Sequence, residues 1–147
     1  MALEFNQHGY LISASPAEVS LEAFAAEFVV NEHRARLFTE YKSFLKDIAG
    51  LIERPFYQWL NGSYVSKHPN PRDIDLITFV PYDCYDSMEG ELRMLKKRYA
   101  NLDAYFVKEY PLGHSKRFVT EFDKTEWRFL FSTDRRKREK GFVQIKF

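Results

Sequence analysis

Gly62-Ser63 is followed, after a spacer of nine residues, by Asp73-Ile74-Asp75. In an extended strand residues i and i+2 share a face, so Asp73 and Asp75 project side by side while Ile74 turns toward the core. Two carboxylates so placed repel unless water, a shared proton or a cation relieves them, and all-oxygen donors favour a hard ion such as Mg²⁺. Glycine lets a backbone approach phosphate oxygens, and a serine hydroxyl with the turn amides donates hydrogen bonds to them. Phosphate on one side and metal on the other make a nucleotide grip. A third acid from a neighbouring strand can share the metal and accept a proton from an attacking hydroxyl, and Asp103, in Leu102-Asp103-Ala104-Tyr105, is the candidate. The alternatives stay open: Asp73 and Asp75 as solvated acids at a strand mouth or paired with Arg72 and Lys67, Ser63 as turn chemistry, Asp103 as a surface residue of an edge strand.

These residues need elements to position them. Leu21, Phe24, Ala25, Phe28 and Val29 make an apolar stripe behind Pro16 and Ser20, which predicts a first helix. Leu37, Phe38, Tyr41, Phe44, Leu45 and Ile48 predict a second, with Gly50 as its left-handed stop. Two helices cannot cover both apolar faces, so they pack on a sheet made by the remainder. Strands are expected at Phe56–Leu60, which runs into the Asn61-Gly62-Ser63 turn, and at Asp73–Val80, closed by Pro81; these two neighbour each other. A third helix over Ser87–Tyr99, a strand over Leu102–Val107, a helix over Lys116–Phe131 and a last strand over Phe142–Phe147 complete the reading. No repeat or linker divides the chain, so residues 1–147 are one α+β domain, with an N-terminal helical pair (1–53) packed on a mixed-sheet core (54–147).

The run Leu60-Asn61-Gly62-Ser63, the spacer through Arg72, and Asp73-Ile74-Asp75-Leu76 resemble the signature of the DNA polymerase β-like nucleotidyltransferase superfamily. More narrowly, the aromatic strand before Asn61-Gly62-Ser63, the Pro71-Arg72-Asp73-Ile74-Asp75 segment and the ending with Asp134, Arg135, Lys140 and Gly141 are similar to small bacterial and phage nucleotidyltransferase-like proteins, over Phe5–Phe147. The resemblance implies a nucleotidyltransferase-like mixed sheet packed against helices. It also implies that Gly62 and Ser63 hold the phosphates of an NTP and that Asp73 and Asp75 bind Mg²⁺ or Mn²⁺, with Asp103 as third carboxylate. A nucleoside monophosphate would then pass to a hydroxyl of a protein, RNA or small molecule. Two departures bear on the phosphate clasp. Tyr64-Val65-Ser66-Lys67 and two prolines stand where minimal members carry a small or basic residue and an arginine-glycine pair, so Lys67 or Arg72 would have to substitute as phosphate contacts. Related minimal enzymes act beside a helical partner protein in toxin-antitoxin pairs. The competing expectation is therefore a catalytically inactive module, antitoxin-like or regulatory, that keeps the fold and binds a partner.

Composition narrows the field further. With 45% hydrophobic and 29% charged residues the 147-residue chain is neither disordered nor membrane-spanning, and MALEFNQHGY has no signal-peptide pattern. Cys84 is the single cysteine, which excludes an internal disulfide or a cysteine zinc cage and fits a reducing cytoplasm. His8, His33, His68 and His114 have no metal-ligand spacing, and there is no P-loop or GxGxxG. Net charge is +1, but residues 99–147 hold 11 basic and 7 acidic side chains. The cluster Arg135, Arg136, Lys137, Arg138 and Lys140 is either a solvated turn or a contact for RNA, an acidic partner or the triphosphate.

Overall fold

Ser20 starts the first helix of the computed structural model, which describes residues 3–13 and 16–147. Its hydroxyl accepts the Ala23 amide, and Asn31 does the same for Arg34 at the head of the second helix. These are α1 (Leu21–Phe28) and α2 (Glu32–Ile52), preceded by a two-residue strand β1 (Ala17–Glu18). Then follow β2 (Tyr57–Asn61), a 3₁₀ turn (Ser63–Val65), β3 (Ile74–Pro81), α3 (Tyr82–Ser87), α4 (Glu89–Arg98), β4 (Leu102–Glu109), α5 (Arg117–Phe131) and β5 (Val143–Lys146).

The described strands form one mixed sheet in the order β1-β5-β2-β3-β4. β2 runs antiparallel to both β3 and β5, and β4 runs parallel to β3. Alternation along each strand makes two apolar layers. Ile74, Leu76 and Val80 of β3, with Leu102 and Ala104 of β4 and Val143 and Ile145 of β5, pack with α1, α2 and α4. Ile77 and Phe79, with Trp59, Val107 and Phe142, meet Phe131 of α5 on the other face. The fold is α+β, as the sequence predicts, and the N-terminal helices share one core with the sheet.

Three differences from expectation have a physical cause. Gly50 lies inside α2; the left-handed stop is Glu53, at φ 54°. Burial of Ile48 and Ile52 holds the helix past the glycine, because packing an apolar stripe outweighs the roughly 1 kcal/mol disfavour of one helical Gly. The expected helix over Ser87–Tyr99 is preceded by a separate short one: α3 begins directly after Pro81, and the chain breaks at Met88, at φ −129° and ψ 26°. β1 has only two residues, too few for any alternation to announce it.

Candidate functional site

Asp75 sits in β3, directly paired with Asp103 of β4 and with Asn61 of β2. In register across parallel strands, the Asp75 and Asp103 side chains share the sheet face that carries Ile77, Phe79 and α5. Asp73, expected inside the strand, stands instead just before β3, which begins at Ile74, so strand alternation does not set its direction. It is close enough for the Asp103 charge to raise its pKa, second only to burial, while Arg72 pulls it down. Burial, then Asp73, then Asp103 push Asp75 to about 6, against the opposing pull of Lys140. The Tyr105 hydroxyl donates to Asp103 at 3.3 Å. The three acids named from sequence are thus near enough at the head of two adjoining strands to act on one another's charge.

Gly62 explains how Asp75 fits. Its φ of 78° and ψ of −166° belong to a region essentially reserved for glycine. A Cβ at this position would overlap the Asp75 carboxylate. Ser63 is exposed and opens the 3₁₀ turn. Gly62, Ser63 and Asp75 line a cleft of about 810 Å³ together with Arg135, Arg136, Arg138 and Lys140, and with Phe129 and Leu130 from the end of α5. Lys140 is half-buried; burial lowers its pKa, and Asp75 and Asp134 oppose that shift. Asp134 anchors the basic loop. Tyr10 donates to it at 2.8 Å, Arg138 at 2.7 Å, and the Arg136 and Arg138 amides at 2.8 and 2.9 Å. Lys67 goes elsewhere: it pairs with Glu27 at 3.3 Å and stands 4.2 Å from the Phe5 ring centroid, outside the residues that line the cleft.

Sequence reasoning missed Arg34. It is 1% exposed, and its guanidinium donates to the carbonyls of Phe28, Ser63, Tyr64, Ser66 and His68. Asn31 donates to Pro69 at 2.8 Å, and the His33 ring is within hydrogen-bond distance of the Pro71 carbonyl. The first turn of α2 therefore grips the whole connector from Ser63 to Pro71, between the Gly-Ser corner and the acids. The available signal was position: Arg34 lies three and four residues before Leu37 and Phe38, on the apolar stripe where a cation has no reason to be unless it is paired.

Among the described residues, no three His, Cys, Asp or Glu side chains converge in a group that could hold a metal ion as they stand. The donor chemistry nonetheless fits a hard divalent ion: carboxylate oxygens alone, with burial and then the neighbouring acids lifting Asp75 to about 6, beside a glycine corner that the Asp75 carboxylate closely approaches. No helix of the described residues is long and apolar enough to cross a membrane.

A family model matches residues 3–146, and its description reads "Family of unknown function (DUF6932)". No curated protein and no solved structure matches the chain.

Proposed function

The chain belongs to that family, and we propose that it is a Mg²⁺- or Mn²⁺-dependent nucleotidyltransferase, which moves a nucleoside monophosphate from an NTP to a hydroxyl of a protein, RNA or small molecule. What carries the proposal is the placement of Asp75: against the Gly62 corner, in register with Asp103, and across a cleft from a loop bearing Arg135, Arg136, Arg138 and Lys140. Gly62 lets the backbone approach phosphate, and the exposed Ser63 hydroxyl donates to it. The four cations offset the triphosphate's charge inside the cleft. Asp73 and Asp75 would hold the divalent ion, which, when bound, would neutralise the acids and polarise the α-phosphoryl group. Asp103 takes the proton from the acceptor hydroxyl as the new P–O bond forms and the bond to pyrophosphate breaks. The single, half-buried Cys84 makes a reducing cytoplasm part of the proposal.

The test is transfer of label from an α-labelled NTP to an acceptor in host lysate with Mg²⁺ or Mn²⁺. Transfer lost in Asp75→Ala is the expected result. Calorimetry on the pure chain is independent of the acceptor, and absence of Mg²⁺-dependent NTP binding there overturns the proposal.

One observation favours a second reading, an inactive nucleotidyltransferase-fold module of antitoxin-like or regulatory kind that binds a helical partner: the acids do not converge as they stand. Co-purification of a partner together with silent calorimetry would select it.

A further inference from the structure

α5 is apolar on two opposite sides. Thr120 and Phe131 are buried and Trp127 half-buried toward the sheet. Away from it, Phe118, Phe122 and Phe129 are 69, 62 and 75% exposed, with Leu130 at 58%. Phe118, Phe122, Thr125 and Phe129 follow one another at spacings of four, three and four, a continuous stripe about 16 Å long. Singly scattered apolar side chains need no explanation, but a row of three phenylalanines does. These side chains leave roughly 500 Å² of apolar surface open on one copy. Two such surfaces together reach the ~1,000 Å² at which specific association begins.

The charges beside the stripe distinguish between occupants. Glu121 and Arg128, seven residues apart, lie along one flank; Val119 and Glu126 lie along the other. An antiparallel pairing centred between Asp123 and Lys124 sets Phe118 against the partner's Phe129 and Phe122 against the partner's Thr125. Glu121 then meets the partner's Arg128, twice by symmetry, while Glu126 meets the partner's Val119, so no like charges face each other. Glu121 already contacts Arg117 at 2.6 Å but stays 57% exposed, open to a second cation. Arg128 stands on its flank with the guanidinium 5.5 Å from the Trp59 ring centroid. A phosphate backbone laid along the same stripe would instead have to pass Glu121 and Glu126, which disfavours nucleic acid. We propose that α5 pairs antiparallel with α5 of a second copy, giving a two-fold homodimer. Because Phe129 and Leu130 also line the cleft, the pair sets the partner's Phe118 at the cleft's edge.

Sedimentation velocity of the full chain across the micromolar range should show a monomer–dimer equilibrium. Phe122→Glu should sediment as a monomer with an unchanged circular dichroism spectrum and melting temperature, since the side chain it replaces is exposed. Glu121→Arg should weaken the dimer about tenfold, and the exchange of Glu121→Arg with Arg128→Glu should restore most of that loss. A monomer at every concentration, a dimer that survives Phe122→Glu, or a charge exchange that restores nothing overturns the proposal. So does a monomer that binds anionic vesicles through the same phenylalanines.

Discussion

At the scale of single residues, Asp75 carries the tension between stability and use. Burial and two neighbouring acids raise its folded pKa to about 6, from 3.8 for an unperturbed carboxyl. The fold therefore favours the protonated form. That contribution is fully present below about pH 4 and is lost as pH rises through about 6. In metal-free buffer Asp75→Asn should be more stable than the parent at about pH 8, by on the order of 1–2 kcal/mol after solvent screening, with the difference vanishing below about pH 4. Urea unfolding at a series of pH values checks this, and a variant less stable at every pH would refute it. Under the proposed function, added Mg²⁺ raises the melting temperature of the parent and leaves Asp75→Asn unmoved. Gly62→Ala is the converse case. Its backbone conformation costs about 1–3 kcal/mol for any residue with a Cβ, and the added methyl falls on the Asp75 carboxylate. In a double-mutant cycle, Asp75→Ala should recover the steric part of the loss and leave the backbone part. The shared face of Asp75 and Asp103 and the special place of Gly62 were legible because strand alternation and a conformation reserved for glycine are local properties; Asp73, which precedes β3, was not placed by alternation. The direction of Lys67 was not legible, since its pairing with Glu27 depends on where α1 lies.

At the scale of elements, a connector with almost no regular structure separates the Gly-Ser corner from the acids, and the first turn of α2 gives it one shape. Arg34, itself buried, supplies bonds to five carbonyls, and the Tyr64 ring lies 4.7 Å from its guanidinium while the Tyr64 hydroxyl donates back to the Arg34 carbonyl. Arg34→Met keeps the volume and leaves those carbonyls unpartnered, which should cost about 3–5 kcal/mol. Arg34→Lys should recover little of it, because an ammonium lacks the planar fork that reaches several acceptors at once. Urea unfolding gives the magnitude. Hydrogen exchange gives the location: the Lys67 amide, bonded to the Gly9 carbonyl, should lose protection even where the core strands keep theirs. Equal loss across the sheet would mean that Arg34 supports the core rather than the connector. Helix and strand positions along α1, α2, β2, β3, β4, α5 and β5 could be read from apolar spacing. The ends could not, where burial of Ile52 carried α2 beyond Gly50 and where Met88 divided two helices.

At the scale of the whole molecule, the last strand sits well inside the sheet. β5 lies between β1 and β2 and so joins the two-residue strand β1 to the central ones. The two residues leading into it are tied to the N-terminal segment: the Gly141 amide donates to the Leu11 carbonyl at 2.6 Å, and the Ala17 amide to the Phe142 carbonyl at 2.9 Å. Phe142, Val143 and Ile145 are buried, two of them completely, and Gln144 accepts the indole N–H of Trp59 at 2.8 Å. Burying three such side chains is worth roughly 1.5–3 kcal/mol each. Their removal would also strip β2 of one hydrogen-bonded neighbour and uncover Trp59. Against a total stability of about 5–15 kcal/mol for a domain of this size, a chain ending at Lys140 should not fold cooperatively. Its far-ultraviolet circular dichroism should melt without a sigmoidal transition, and the fluorescence of its two tryptophans, Trp59 and Trp127, should shift to the red of the parent's. A synthetic peptide of residues 141–147 added in excess should restore part of the transition if the rest of the sheet is ready to receive it. A truncated chain that melts as sharply as the parent would show that β5 only covers a sheet completed without it.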